Sequence, residues 1–261
     1  MPIHFEHKPG LVIYLTVGDP SVEGTRAIAL AAIDAGADVL ELGVPFSDPL
    51  ADGPVIQRAS ERAVAHGTRL ADVLALAADL RRERPQTGLV IFSYLNPILR
   101  YGLARFCTDA AAAGVDGVLV TDITVEEAQG DYLDHLHSAG LKPIFLAAPT
   151  SPDERLKAIA EASEGFVYAI SRTGITGTQV SLAEDAKGLV ERIRRYTALP
   201  VALGFGISNA AHVAAVGAYA DAAVIGSAIV ALIEQSSADE APLAVARFIK
   251  GLRPAPALAQ V

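Results

Sequence analysis

Short apolar runs, many of them β-branched, recur along the chain: Leu11 to Val17, Asp38 to Leu42, Leu89 to Tyr94, Gly117 to Val120, Pro143 to Leu146, Phe166 to Ile170, Pro200 to Leu203 and Ala222 to Ile225. Runs of this kind predict eight buried strands. The stretches between them are rich in Ala and Leu at helical spacing, as in Ala71 to Arg84. Thr124 with Glu127, Ser151 with Glu154 and Ser181 with Glu184 have the Ser/Thr-x-x-Glu spacing of a reciprocal cap, which predicts a helix start at each. Gly36, Gly67, Gly114 and Gly140 predict helix stops, because a residue without Cβ enters the left-handed region at little cost.

The segments Asp34 to Leu40 and Ala112 to Leu119 are near-copies, each running from a helix end into a buried strand. A repeated unit of strand and helix requires a parallel sheet covered by helices. Eight units predict an α/β fold closed as a (β/α)8 TIM barrel, with residues 1–261 forming one domain. An open doubly wound sheet is the alternative, but no G-x-G-x-x-G fingerprint follows a strand to support it.

With 261 residues, 51% of them hydrophobic, the chain can bury one large core, and no linker or low-complexity tract divides it. The net charge of -9 argues against nucleic acid, since an anionic backbone needs a basic face. Mean hydropathy is +0.36, yet no run approaches the roughly 18 unbroken apolar residues of a membrane span. The start carries neither a signal peptide nor a transit-peptide bias, which leaves the cytoplasm as the expected compartment. The one cysteine, Cys107, is expected to be a small packed hydrophobe.

Barrel active sites sit at the C-terminal ends of the strands, so the loops there carry the chemical argument. Glu41 lies between Leu40 and Leu42 in an otherwise apolar strand. A carboxylate facing the barrel interior loses hydration, which raises its pKa and makes it a general acid/base candidate. The competing reading is a strand-end Glu paired with an Arg. Asp48 and Asp52 follow in a Pro-rich loop, where Asp before Pro or Gly is also ordinary turn chemistry.

Ser171 to Thr178 holds two glycines and several hydroxyls, as a lid or phosphate loop would. Gly204-Phe205-Gly206 after strand 7 and Gly226-Ser227 opening a helix after strand 8 suit a phosphate held by backbone N–H groups. Such a site needs no basic patch, which reconciles an anionic ligand with an acidic protein. The lysines are at 8, 142, 157, 187 and 250, and Lys142 begins strand 5, on the wrong face for a Schiff base. None of the six histidines joins a carboxylate in a strand-end loop, so no metal is expected. The residues therefore point to carboxylate acid/base chemistry on a phosphorylated small molecule.

Glu41 followed by Leu42-Gly43-Val44-Pro45-Phe46-Ser47-Asp48-Pro49-Leu50-Ala51-Asp52-Gly53-Pro54 strongly resembles the signature of the tryptophan synthase alpha subunit family. Further matches are Thr16 to Pro20, Tyr94 to Pro97, Ser171 to Gly177 and Gly204 to Ile207, so the resemblance spans nearly the whole chain. It implies a retro-aldol lyase cleaving indole-3-glycerol phosphate into indole and glyceraldehyde 3-phosphate. Asp52 would hold the indole N–H and Glu41 would move the protons, with Tyr168 beside it. Gly177, Gly206, Gly226 and Ser227 match the phosphate binders, and Tyr14, Leu119 and Phe205 would line the indole pocket, although ordinary barrel core is the competing reading for these three.

The family works with a beta subunit in an alpha2beta2 complex. Any pyridoxal phosphate would belong to that partner, with no cofactor in this chain. Asp48 and Pro49 fall in the loop used for the contact. Two departures stand out: only about ten residues precede Leu11 where an amphipathic helix is usual, which predicts a less covered barrel bottom, and the strand 4 loop reads Thr121-Asp122-Ile123-Thr124 where prolines are common. A stand-alone indole-3-glycerol phosphate lyase, another phosphate-binding barrel and a non-catalytic phosphate-binding regulatory subunit are the competing functions.

Overall fold

In the first strand, Leu11, Ile13 and Leu15 pack toward the helices while Val12 and Tyr14 pack among residues of the barrel interior. This period of two is how a strand serves two cores at once. The computed structural model describes residues 3–171, 179–204 and 206–253. The strands are β1 (Gly10–Thr16), β2 (Val39–Gly43), β3 (Gly88–Ser93), β4 (Gly117–Val120), β5 (Lys142–Ile144), β6 (Leu146–Ala147), β7 (Val167–Ile170), β8 (Val201–Gly204) and β9 (Ala222–Ile225). Among the described residues the helices are α1 (Val22–Asp34), α2 (Pro54–Ala65), α3 (Leu70–Glu83), α4 (Leu95–Tyr101), α5 (Leu103–Ala112), α6 (Asp131–Ser138), α7 (Asp153–Ala162), α8 (Gln179–Ile193), α9 (Ala210–Gly217), α10 (Ser227–Glu234) and α11 (Ala241–Leu252).

All strand pairs are parallel, in the order β5-β4-β3-β2-β1-β9-β8-β7-β6. The predicted fifth strand is thus two short strands. Lys142 to Ile144 pair with β4 and Leu146 to Ala147 pair with β7. Phe145 alone separates them, so the ring closes through one residue. The register runs from Tyr14 through Glu41, Val90 and Gly117 to Lys142, then, further along at Leu146, through Tyr168, Ala202 and Ala222 to Gly10. That offset amounts to a stagger of about eight residues, the shear of a (β/α)8 barrel.

The barrel bottom is better covered than the sequence suggests. Ile3 is buried there with Val12, Val39 and Phe166, and the Phe5 ring lies 6.1 Å from that of Phe166. Two apolar side chains of a segment without regular structure, Ile3 and Phe5, do the work expected of a helix. Gly10 makes room, since a Cβ there would fall 2.3 Å from the Phe5 ring.

Three aspartates tie strand starts together: Asp38 accepts from the Leu11 N–H (2.7 Å), Asp116 from Leu89 (2.9 Å) and Asp221 from Val201 (2.9 Å). Each carboxylate satisfies a donor at the start of the preceding strand. On the opposite rim Asp122 accepts from Leu95 N–H at 2.7 Å, at the entry to α4.

Helix ends follow the glycine reading, with φ of +107° at Gly36, +79° at Gly67, +77° at Gly114 and +72° at Gly140. The caps follow it less well. Thr124 and Glu127 do exchange hydrogen bonds, but they sit in a run of turns before α6. The Ser151 hydroxyl accepts from Ala148 N–H instead, and Pro152 is the N-cap of α7. Ser181 lies inside α8 rather than before it. Cys107 packs in the core between strands and helices.

Candidate active site

The central strand position that faces the interior between Tyr14 and Val90 is Glu41. It is wholly buried, and among the described residues neither carboxyl oxygen has a hydrogen-bond partner. The reading of Glu41 as half of an Arg pair therefore fails. Burial without compensation favours the neutral carboxyl and pushes its pKa up to about 8.

Asp52 stands in the loop between β2 and α2. Burial raises its pKa to about 6, and the Tyr94 hydroxyl, which donates to Oδ2 at 3.0 Å, opposes the rise. That hydroxyl also accepts from Ala51 N–H at 2.9 Å, and Gln57 Nε2 donates to the Asp52 carbonyl at 2.8 Å, so the loop is held at three points. At neutral pH one carboxyl is mostly neutral and the other mostly ionised. Environments that separate two acids in this way suit acid/base chemistry.

Tyr14 and Tyr168 stand beside this pair. Both phenols are held well above the usual range, first by burial and then by the charges of Asp52 and Glu41. Glycines admit their hydroxyls: a Cβ at Gly43 would lie 2.4 Å from the Tyr14 oxygen, and one at Gly204 would lie 2.6 Å from that of Tyr168. Tyr14 packs edge-on against Phe92 with ring centres 5.1 Å apart.

Tyr168 also lines a cavity of about 570 Å³ together with Ile170, Gly204, Gly206, Gly226 and Ser227. Ala51 and Gly53, on either side of Asp52, form its other wall. Ser227 is the first residue of α10, where the first backbone N–H groups of a helix lack helical acceptors and favour an anion. Three of the four expected phosphate residues thus meet in one cavity beside the carboxylates. Gly177 and Phe205, with most of the Ser171 to Thr178 loop, lie outside the described residues. Leu119 is fully buried in the barrel interior, clustered with Val90 and Ile144, and Phe92 and Tyr168 pack against that cluster.

Sequence reasoning gave no individual role to Tyr94 or Gly43, and it read Gly204 as part of a phosphate loop, not as room for the Tyr168 hydroxyl. The alternation Val90, Phe92, Tyr94 continues the inward face of β3 to the rim, and that was the available signal for Tyr94. The two glycines had none, because what they make room for is distant in sequence.

Asp48 and Pro49 lie on the outer rim, next to Leu50, which is 92% exposed. Beside them runs a groove of about 930 Å³ lined by Phe46, Asp48, Arg69, Arg100, Tyr101 and Arg105. Leu99, 54% exposed, stands on α4 at the same rim. Lys142 begins β5 at the opposite end of the barrel. Among the described residues no group of three or more His, Cys, Asp or Glu side chains could hold a metal. Nor, among them, is any helix long and apolar enough to cross a membrane.

Comparison with known proteins adds an independent line. A family model described as tryptophan synthase alpha chain matches residues 3–253. The chain is 52% identical over 232 residues to the tryptophan synthase alpha chain of Solibacter usitatus, covering 89% of this chain and 86% of that one. It is 46% identical over 250 residues to that of Roseiflexus castenholzii, covering 94% of each. Among solved structures it resembles tryptophan synthase from M. tuberculosis, with a TM-score of 0.84 and 36% identity over 95% of this chain and 94% of that chain. It likewise resembles tryptophan synthase subunit alpha from Legionella pneumophila, with a TM-score of 0.86 and 35% identity over 94% and 91% of the two chains.

Proposed function

The chain belongs to the tryptophan synthase alpha chain family, a lyase family of tryptophan biosynthesis, and from that premise we propose that it cleaves indole-3-glycerol phosphate to indole and glyceraldehyde 3-phosphate. The observation that carries this reading is a wholly buried, unpartnered Glu41 with a raised pKa, beside an Asp52 that stays largely ionised.

In the proposed reaction Glu41 gives its proton to the ring carbon that bears the glycerol chain. The positive charge this creates on the indole is stabilised by Asp52, which accepts the ring N–H. Glu41, now a carboxylate, takes the proton of the neighbouring glycerol hydroxyl. The carbon–carbon bond breaks, its electrons return to the ring, indole leaves and the hydroxyl carbon becomes the aldehyde. Glu41 ends protonated, as it began. Gly206, Gly226 and Ser227 would hold the phosphate, joined by Gly177, while Tyr168 and Tyr14 flank the carboxylates and Phe205 and Leu119 complete the indole pocket.

This scheme asks nothing of a lysine, a metal or a cofactor in this chain. Pyridoxal phosphate would sit in a beta subunit that receives indole, within an alpha2beta2 assembly. The rim at Asp48 and Pro49 suits that contact, because exposed Leu50 and Leu99 beside an arginine-lined groove have the composition of a protein interface. The whole chain, 1–261, is read as one barrel domain working in the cytoplasm. Neither the stand-alone lyase nor the regulatory subunit is favoured by the comparisons.

The test is indole release from indole-3-glycerol phosphate by the purified chain, with and without a beta subunit, alongside Glu41→Gln and Asp52→Asn. Weak activity alone, stimulation by the partner and loss in both variants are expected. Activity surviving both substitutions would sink the mechanism.

A further inference from the structure

Two helices begin at the candidate site and lead away from it. α2 starts at Pro54, two residues after Asp52, and α10 starts at Ser227, beside the anion cavity. The first carries the carboxylate loop and the second carries the phosphate cradle. Near the site they meet through Val55, Ile56 and Ala59 of α2, Val230 of α10 and Tyr14 of β1. The Ile56 side chain comes within 3.8 Å of where a Gly226 Cβ would be.

Their far ends are tied by charge. Glu234, the last residue of α10, accepts from Arg58 Nε (2.9 Å), Arg58 Nη2 (2.8 Å) and Arg62 Nη1 (2.8 Å). The same Arg62 donates Nε and Nη2, both at 2.8 Å, to Asp19, a carboxylate only 4% exposed in the loop after β1. Isolated surface pairs contribute little to a fold. Here one guanidinium spends three donors on two carboxylates that belong to different elements, and one of those carboxylates is buried. The planar fork of Arg makes this bridge, and the point charge of Lys does not reproduce it.

We infer that Arg62, with Glu234 and Asp19, fixes the spacing between Asp52 and the Gly226–Ser227 anion site, and so acts as a positioning residue for a substrate that must reach both. This rests on the lyase reading above. Arg62 lies eight residues along α2 from Pro54, ~12 Å from the site at helical rise, and therefore acts through the helix and not by touching substrate. A misplacement of about 1 Å from a change remote from the chemistry can cost on the order of a hundredfold in rate.

The experiment uses the full-length protein and the variants Arg62→Lys, Arg62→Gln and Glu234→Gln. Thermal melts check folding, calorimetry with inorganic phosphate reads the cradle alone, and steady-state cleavage of indole-3-glycerol phosphate reads cradle and carboxylates together. Phosphate affinity is expected to stay within about twofold of wild type while kcat falls roughly tenfold or more, with KM changing less. The double variant Arg62→Gln/Glu234→Gln should be little worse than Arg62→Gln alone, because both residues act through one clasp. Unchanged kcat/KM in folded Glu234→Gln and Arg62→Lys would overturn the inference. So would losses of phosphate affinity and kcat that track the melting temperature together, the behaviour of a structural tie. A wild-type chain that binds phosphate but releases no indole, with or without a beta subunit, would instead bring down the lyase reading, a failure visible without any variant.

Discussion

Replacing Glu41 by Gln should make the protein more stable at alkaline pH, and the buried carboxyl sets the size of the effect. In the unfolded chain the group loses its proton at about the usual carboxylate value of 4.5, whereas in the folded chain it keeps it to about 8. Between those values the folded state binds a proton that the unfolded state does not, so stability falls as pH rises through that window and levels off above it. At ~1.4 kcal/mol per pH unit, the ionised group costs the fold on the order of 5 kcal/mol above pH 8 and about 3 at pH 7. The amide of Gln has the shape of the protonated acid and does not titrate. Wild type and Glu41→Gln should therefore melt together near pH 5 and separate steadily toward pH 9, where the variant should lead by roughly 10 °C or more. Thermal and urea denaturation at half-unit intervals would show it. Asp52 is present in both proteins and cancels. Parallel melting curves across the whole range would refute the reasoning, because they would mean that Glu41 titrates alike in the folded and unfolded chains.

Tyr94→Phe removes the donor that lowers the Asp52 pKa, so the acid limb of the cleavage profile should move to higher pH, as kcat/KM against pH would record. Gly204→Ala places a methyl group 2.6 Å from the Tyr168 hydroxyl and should lower kcat/KM by roughly tenfold through displacement of that ring. Asp116→Ala removes the acceptor of the buried Leu89 N–H and of Arg81 Nη2, while Arg81 keeps the Gly114, Pro85 and Thr87 carbonyls, and should cost about 2 kcal/mol in denaturant unfolding. Leu99→Asp should weaken binding to a beta subunit in a titration while leaving the activity of the isolated chain as it is, because Leu99 stands on the outer rim.

The strands were legible because their signal is local: β-branched apolar runs bounded by Gly, Pro and Asp keep their meaning whatever surrounds them. Phe145 shows the limit. Nothing in Pro143 to Leu146 records that its two ends pair with different neighbours, since that follows from the stagger of the whole ring. Ser151 and Ser181 show another, because a cap spacing is short enough to occur where other bonds win. At the site, Glu41 announced itself by polarity in an apolar strand. Tyr94 looked like one more aromatic, and its partner Asp52 lies 42 residues away. The three rim aspartates at the strand starts were hidden for the same reason: an Asp before a strand is common, and only the fold shows which backbone donor it meets.

The ring closes at Phe145, and on either side of that residue the chain has a different occupation. Glu41, Asp52 and Tyr94 come from the segment that ends with β5, whereas Tyr168, Gly204, Gly206, Gly226 and Ser227 come from the segment that starts with β6. In the proposed reaction one half carries the two carboxylates and the other carries the phosphate site, with Tyr168 reaching back beside the carboxylates. A handle and a blade can be exchanged separately if the joint between them holds. Substitutions confined to the first half could thus redirect the reaction while a phosphorylated ligand is still gripped by the second, which makes this barrel a natural starting point for selecting new chemistry on an old anchor.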